Sequence, residues 1–142
     1  MKIISHRGNV DGPNKDLENN PEHIQSLLKA NVEVEIDVWL KNDQFFLGHD
    51  EPQYAVDYSL LQHHGLWCHA KNLEALSFML LACVPNCFWH QEDDFTLTSS
   101  GFIWTYPNKK VLHNSIIVDN DPNWKNKNYK CYGVCSDWVF IH

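Results

Sequence analysis

The chain has 142 residues, of which 44% are hydrophobic and 20% are charged, and its formal net charge at pH 7 is −7. This length suffices for one domain with a hydrophobic core, and we treat residues 1–142 as a single domain. The negative charge excludes a broad electrostatic surface for nucleic acid or an anionic membrane, but a small anionic substrate can still bind in a local cationic pocket.

The N-terminus and the hydropathy pattern predict a cytoplasmic protein. No stretch approaches the roughly 20 apolar residues that span a bilayer. The segment Met1–His6 has no apolar signal-peptide core and leads directly into a candidate strand. We therefore expect no transmembrane segment and no secretory leader.

The five cysteines leave a second interpretation open. Their odd number argues against a disulfide framework, and buried free thiols are the expected state. Cys83 and Cys87, like Cys131 and Cys135, are four positions apart, which is one residue longer than the usual zinc spacing. A zinc-structured interaction protein therefore stays an alternative.

Short apolar runs, most of them followed by a polar cluster, predict seven or eight strands. They are Lys2–Ser5, Val32–Leu40, Gln44–Gly48, Gly65–His69, Cys87–His90, Phe102–Thr105, Ser115–Val118 and Gly133–Ser136. Most of these runs are apolar throughout, which is typical of strands buried on both faces of a parallel sheet.

Helical patterns lie between some of these strands, at Glu22–Ala30, Val56–His63 and Asn72–Cys83. Asn20 is placed as an N-cap and Pro21 as the first helical residue. Alternating strands and helices predict an α/β fold. Because a full (β/α)₈ barrel needs about 250 residues, we expect a compact or truncated TIM (β/α) barrel with several shortened or missing helices.

Arg7 is the single arginine of the chain and lies between His6 and Gly8, where the first strand ends. A guanidinium pairs bidentately with phosphate, a geometry that lysine does not offer. In parallel α/β sheets, functional residues gather at the carboxyl ends of the strands. Arg7 is therefore a candidate phosphate ligand, with an ordinary surface charge as the alternative.

Glu35 and Asp37 predict a metal site. Residues i and i+2 of a strand share a face, so the two carboxylates point one way and Ile36 points the other. Two buried carboxylates repel each other and are costly to desolvate, and a divalent cation such as Mg²⁺, Ca²⁺ or Mn²⁺ removes both costs. The alternative is an exposed edge strand on which both carboxylates face water.

His49 is expected near this pair because Lys41–Gln44 is typical of a hairpin turn. A three-residue turn places His49 opposite Glu35. A two-residue turn places it opposite Ile36, on the other face, unless Gly48 forms a bulge. Beside a carboxylate pair, His49 is a candidate for proton transfer.

His69 and Lys71 obey the same i, i+2 rule and share a face of their strand. If that face points inward, Lys71 adds a second cation for an anionic ligand and His69 becomes a possible third metal ligand. The alternative is an exposed strand end that leads into the next helix.

The first third of the chain carries four short motifs in a fixed order: His6-Arg7-Gly8, Glu18-Asn19, Glu35-Ile36-Asp37-Val38 and His49-Asp50. They resemble the glycerophosphodiester phosphodiesterase family, within the wider phosphatidylinositol-phospholipase-C-like group of barrels. Weaker similarities follow at His69-Ala70-Lys71, Trp104-Thr105 and Gly133–Asp137.

The resemblance implies a metal-dependent phosphoric diester hydrolase of lipid metabolism, with a small phosphodiester as substrate. It implies that His6 and His49 are the general acid and base. In that family the reaction usually begins with attack by a substrate hydroxyl, which gives a cyclic phosphate that water can open. A sphingomyelinase-D-type lyase of the same superfamily would stop at the cyclic product.

The resemblance also implies that Glu35 and Asp37 hold a divalent metal ion, often Mg²⁺ or Ca²⁺, and that Arg7 and Lys71 bind the phosphate. The family has an acidic residue where this chain has His69, which would favour Mn²⁺ or Zn²⁺ or weaken metal binding. Three further residues are expected to support the site from behind these ligands: Glu18, Asn19 and Asp50.

Other departures from the family are Leu17 and Asn20, which replace a proline and a threonine, and the short segment after His49-Asp50. Asp93 and Asp94 are fallback metal ligands. Because of these departures, the second functional hypothesis is a barrel derived from this family that binds a phosphorylated metabolite without turnover.

Overall fold

Strands dominate the structure, a computed structural model that describes residues 1–140. The strands are β1 (Lys2–His6), β2 (Glu33–Lys41), β3 (Gln44–Leu47), β4 (Tyr54–Val56), β5 (Leu66–Ala70), β6 (Cys87–Trp89), β7 (Phe95–Leu97), β8 (Ile103–Thr105), β9 (Ser115–Val118) and β10 (Gly133–Ser136). The helices are α1 (Pro21–Lys29), α2 (Tyr58–Leu61), α3 (Leu73–Leu81) and a 3₁₀-helix at Trp124–Lys127.

All ten strands belong to one mixed sheet, whose parallel centre has the order β6-β5-β2-β1-β10-β9-β8. Antiparallel pairs add β3 beside β2, β4 beside β3 and β7 beside β8. The sheet curls until its two edges approach each other. There the amide of Ser99 donates to the carbonyl of Cys87 over 2.8 Å, and the hydroxyl of Thr96 donates to the carbonyl of Trp89 over 2.6 Å.

The expected truncated TIM barrel is wrong, because the structure is a curled half-barrel made mostly of sheet, with three short α-helices in residues 1–140. The strand–helix alternation ends at β6. A parallel crossover through a helix takes about a dozen or more residues, and the β8–β9 connection at 106–114 is shorter than that. The longer β9–β10 connection at 119–132 holds the 3₁₀-helix Trp124–Lys127 instead of an α-helix, and β7 and β8 form a hairpin.

The individual elements agree better with the sequence than the architecture does. Each predicted strand is present within one or two residues, whereas the pattern did not predict β4 and β7. The helix expected at Val56–His63 shrinks to α2, because Val56 closes β4 and Asp57 caps the following turn by accepting from the amide of Ser59. The cap of α1 is confirmed, since the side chain of Asn20 accepts from the amides of Glu22 and His23.

Alternation along the strands separates an outer and an inner core. On the outer face, Val34, Ile36 and Val38 of β2 pack with residues of α1 and α3. On the inner face, a second apolar cluster fills the bottom of the curl: Ile4, Trp67, Phe88, Trp104, Ile116, Val118 and Cys135. The next inward positions towards the carboxyl ends of the strands therefore form a layer above an apolar floor.

None of the helices in residues 1–140 has the length and apolarity that a membrane crossing requires.

The β2–β3 turn decides where His49 lies. Lys41 pairs with Gln44, so the turn has two residues, and its Asn42 and Asp43 both take positive φ angles of 51° and 62°. Ladder pairing stops at Leu47, and Gly48 turns the chain so that His49 lines the same cavity as the β2 carboxylates. A Cβ atom at Gly48 would clash with the carbonyl oxygen of Glu51, so the turn requires glycine.

Replacing Gly48 with alanine is expected to lower the free energy of unfolding by about 3 kcal/mol or more, because the new methyl group meets backbone. Gly101→Ala is the matched control: Gly101 also has a positive φ, of +88°, but a Cβ atom there meets nothing within 4 Å. We expect the control to cost about 1 kcal/mol. Urea unfolding of the two variants measures the difference, and equal losses would contradict the steric argument.

Candidate metal and acid–base site

Three adjacent parallel strands bring the polar layer together above the apolar floor. The register of β1 and β2 sets His6 beside Glu35, and the register of β2 and β5 sets Asp37 beside His69. These four side chains line a cavity of about 410 Å³ at the carboxyl ends of the strands. The structure thus brings together residues that are far apart in the sequence.

A compact group of potential metal ligands consists of Glu35, Asp37 and His69. One donor atom from each of them lies within 4.8 Å of the donor atoms of the other two. Nδ1 of His69 lies 3.2 Å from Oδ1 of Asp37 and 3.8 Å from Oε1 of Glu35. Oε2 of Glu35 is buried and has no hydrogen-bond partner within the described chain. A buried, unpartnered carboxylate oxygen is costly, and two carboxylates with an imidazole are a donor set that fits a divalent cation.

The pKa values of the two carboxyl groups shift in opposite directions from their ordinary values. Burial, and then the charge of Asp37, raise the pKa of Glu35. Burial also acts to raise the pKa of Asp37, but the hydrogen bond and charge of His69, the charge of Arg7 and the hydrogen bond of Asn19 lower it to about 2. Asp37 is therefore ionised at neutral pH. Glu35 is the carboxylate that still has an oxygen, Oε2, without a hydrogen-bond partner among residues 1–140.

Asn19 holds Asp37 in place with both ends of its amide. Its nitrogen donates to Oδ2 of Asp37 over 2.9 Å, and its oxygen accepts from the Asp37 amide over 2.9 Å. The backbone N–H of Asn19 donates to the backbone carbonyl of Arg7 over 2.9 Å. Asn19 takes a positive φ of 58°, a conformation in which asparagine is enriched. The structure therefore places Asn19 behind Asp37.

Arg7 projects into the cavity from a backbone that also has a positive φ, of 58°. Its Nε lies 3.6 Å from Oδ2 of Asp37, and Nη1 lies 3.6 Å from Oε2 of Glu18. At these distances Nε is buried without a hydrogen-bond partner among the described residues. Lys71 lines the same cavity, so the two predicted phosphate ligands share it.

His6 has a carboxylate partner that sequence reasoning missed. Its Nδ1 lies 2.8 Å from Oδ1 of Asp137, which also accepts from Asn9 over 2.9 Å. Burial acts to lower the pKa of His6, but the hydrogen bond with Asp137 and the charge of Glu35 outweigh it and raise that pKa. The available signal was the position of Asp137, directly after the last predicted strand.

His49 also has a carboxylate at Nδ1 of its ring. Its Nδ1 lies 2.7 Å from Oδ1 of Asp50, and its side chain is 40% exposed. His49 lines the cavity that contains His6. Each of the two predicted acid–base residues therefore has Nδ1 engaged by a carboxylate, which leaves Nε2 for another partner.

An aromatic wall that the sequence did not predict closes the far side of the cavity. The rings of His90 and Tyr106 stack with centroids 3.5 Å apart, and Trp104 lies in the same lining. Burial and the charge of His69 lower the pKa of His90. His90 and Tyr106 directly follow β6 and β8, so the strand-end rule, applied to aromatic residues, would have found them.

The fallback ligands and the cysteines do not join this site. Asp93 and Asp94 are exposed, and Asp94 pairs with Lys109 at 3.4 Å. All five cysteines are free thiols. Within residues 1–140, one cluster has three potential metal ligands close together, and it consists of Glu35, Asp37 and His69. No cysteine belongs to that cluster.

Comparisons of the chain with protein-family models, curated proteins and solved structures found no match. The resemblance to the glycerophosphodiester phosphodiesterases therefore stays a prediction from the motifs.

We expect Asp137→Asn to lower the pKa of His6, because asparagine keeps a hydrogen-bond acceptor at Nδ1 but removes the negative charge that favours the imidazolium. The His6 ring signals in an NMR pH titration should then move at lower pH than in the wild-type protein. Asp16→Asn, at an exposed position, is the control. An unchanged or higher His6 pKa in Asp137→Asn would contradict the assigned role of this carboxylate.

Proposed function

We propose that the protein is a metal-dependent phosphodiester hydrolase that uses two histidines for proton transfer. One observation carries the proposal: two imidazoles, each bound at Nδ1 by a carboxylate, face one cavity that also holds the buried group of Glu35, Asp37 and His69. The resemblance to the glycerophosphodiester phosphodiesterases points to the same activity. The odd number of cysteines supports a reducing, cytoplasmic location for it.

Arg7 and Lys71 give the cavity its affinity for an anion. The chain is acidic overall, but these two cations line the cavity together. The guanidinium of Arg7 has contacts of 3.6 Å to carboxylates, longer than a normal hydrogen bond, so its donors stay available. A phosphodiester placed between Arg7 and Lys71 gains charge-assisted hydrogen bonds and is oriented for attack.

The two histidines divide the proton transfers. One imidazole removes the proton from the attacking hydroxyl, and the other donates a proton to the alcohol oxygen that leaves phosphorus. Asp137 and Asp50 accept at Nδ1 of His6 and His49 and orient the two rings. Asp137 also stabilises the protonated form of His6, whose pKa is raised. A substrate hydroxyl next to the ester would give a cyclic product, which water then opens by the same pair in exchanged roles.

Glu35, Asp37 and His69 would hold the metal ion, which supplies positive charge next to the phosphoryl oxygens when bound. The fit rests on the unpartnered Oε2 of Glu35 and on the mixed oxygen and nitrogen donors. The imidazole of His69 stacks on Phe88 at a centroid distance of 5.1 Å, which holds the ring in the plane needed to present Nδ1. An imidazole donor favours Mn²⁺ or Zn²⁺ over Ca²⁺.

Hydrolysis of bis(p-nitrophenyl) phosphate tests the proposal. We expect turnover that needs Mn²⁺, Zn²⁺ or Mg²⁺ and stops with a chelator. His6→Ala and His49→Ala are each expected to lower kcat by about 10² to 10⁴, the usual contribution of a proton-transfer residue. His113→Ala, at an exposed loop position, is the matched control and should keep the wild-type rate. Stabilisation by phosphodiesters without any product would overturn hydrolysis and favour the binding function.

The metal preference is tested by His69→Glu, which replaces the nitrogen donor with a third carboxylate. We expect the affinity for Mg²⁺ and Ca²⁺ to rise relative to that for Mn²⁺ and Zn²⁺, because hard cations prefer oxygen ligands. Calorimetric titration of the wild-type protein and the variant with each metal alone measures this ratio. The same order and spacing of affinities in both proteins would show that His69 is not a ligand.

A further inference from the structure

The side chain of Asn9 lies where the partner of His6 and the partner of Arg7 meet. Its amide nitrogen donates to Oδ1 of Asp137 over 2.9 Å, and this oxygen also contacts Nδ1 of His6. The same nitrogen donates to Oε1 of Glu18 over 2.9 Å, and the other carboxylate oxygen of Glu18, Oε2, lies 3.6 Å from Nη1 of Arg7. One amide therefore restrains two carboxylates from distant parts of the chain.

Asn9 is itself held in place from several directions, and it is 2% exposed. Its backbone N–H donates to the carbonyl of His6 over 2.9 Å, and its carbonyl accepts from the hydroxyl of Ser5 over 2.7 Å. Its side-chain oxygen accepts from the backbone N–H of Asn14 over 2.9 Å. The carbonyl of Asn14 in turn accepts from the N–H of Glu18 over 3.0 Å. Both ends of the Asn9 amide thus fix the position of Glu18 relative to β1.

The carboxylate of Glu18 competes with an anionic ligand for the guanidinium of Arg7. The side chain of Glu18 is 16% exposed, so little water solvates its charge. Among residues 1–140, Arg7 is the cationic side chain within ion-pair distance of it. Their separation of 3.6 Å is longer than a charge-assisted hydrogen bond, which measures about 2.7–2.9 Å. A Glu18 carboxylate that was free to turn would close this gap and occupy donors that a phosphate group needs.

We propose that Asn9 is a positioning residue that keeps the guanidinium of Arg7 available for a phosphate group by restraining Glu18. The hydrogen bond from Asn9 to Oε1 holds the carboxylate of Glu18 short of Arg7. The hydrogen bond from Asn9 to Asp137 keeps the amide from following Glu18 towards Arg7. This inference rests on the proposed function for the role of Arg7 as a phosphate ligand. It adds a residue that does not line the cavity containing Arg7.

A purely structural role for Asn9 predicts a different result. Loss of a buried amide lowers the free energy of unfolding whatever its partners are, but this loss alone leaves the affinity of the folded protein for an anion unchanged. Positioning predicts a loss of affinity that depends on the charge of Glu18, because an ionised carboxylate is a far stronger competitor for Arg7 than a neutral amide. Coupling between substitutions at Asn9 and Glu18 therefore distinguishes the two roles.

An NMR titration with dimethyl phosphate tests the inference. Because Arg7 is the single arginine of the chain, the protein has one arginine Nε–Hε signal, which reports directly on an anion at this side chain. In a buffer with Mg²⁺, we expect Asn9→Ala to weaken the binding of dimethyl phosphate about tenfold, the lower end of the range for one hydrogen bond to a charged group. In a Glu18→Gln background, the same substitution should weaken binding less than about twofold.

Asn86→Ala is the matched control. Asn86 is also buried, at 8% exposed, and its amide nitrogen donates to two carbonyls, those of His64 and Leu66, outside the cavity lining. We expect this control to lower the unfolding midpoint and to leave the affinity for dimethyl phosphate unchanged. Asn9→Ser takes the place of Asn9→Ala if the alanine variant does not fold, because a single short hydroxyl does not restrain both carboxylates.

The outcomes separate the inference from the proposed function. Equal affinity in the wild-type protein and Asn9→Ala, or the same loss in the Glu18→Gln background, overturns the positioning role and leaves the hydrolase proposal intact. Coupled affinities without hydrolysis of bis(p-nitrophenyl) phosphate overturn the hydrolase proposal and keep the positioning role. An Arg7 signal that does not respond to dimethyl phosphate in the wild-type protein overturns the inference together with the phosphate-binding role of Arg7.

Discussion

Two carboxylates buried side by side on the central strand set the requirement that the rest of the site meets. Glu35 and Asp37 are 3% and 1% exposed, and their mutual repulsion and desolvation would destabilise the fold if nothing offset them. The side chains that offset this charge come from different elements: His6 from β1, Arg7 and Asn19 from the loop that follows it, and His69 from β5. Glu35 still has an oxygen without a partner. The fold therefore holds a negative centre that favours a cation.

The apolar floor strengthens every interaction above it. Trp67, Phe88 and Trp104 are nearly fully buried and pack against one another beneath the carboxylates. An apolar layer under the site has few dipoles that can reorient, so dielectric screening is weak there and charges in the polar layer interact more strongly than they would at the surface. The alternation of each strand supplies both layers at once, because inward residues two positions apart lie one above the other.

Local patterns in the sequence predicted those parts of the site whose residues are close in sequence. The i, i+2 spacing of Glu35 and Asp37 fixes their common face. The hairpin pattern left the position of His49 open, because a two-residue turn brings it near the carboxylates only when Gly48 interrupts the pairing, as it does here. The partner of His6 was not predictable in this way. Asp137 reaches it through the pairing of β1 with β10, a contact between the two ends of the chain that no local pattern encodes. The half-barrel was missed for a similar reason, since loop length alone did not reveal that β7 would turn back against β8.

The meeting of the two sheet edges gives the molecule an uneven resistance to local opening. Hydrogen bonds from Thr96 and Ser99 join this seam to β6, whereas continuous ladders join β1, β2 and β5. Segments with fewer hydrogen bonds and less buried surface open at lower free energy. Widening at the seam separates His90 from Tyr106 but leaves the strands that carry Glu35, Asp37 and His69 in register. The aromatic side of the cavity can thus open locally while the strands that carry the two carboxylates and His69 stay paired.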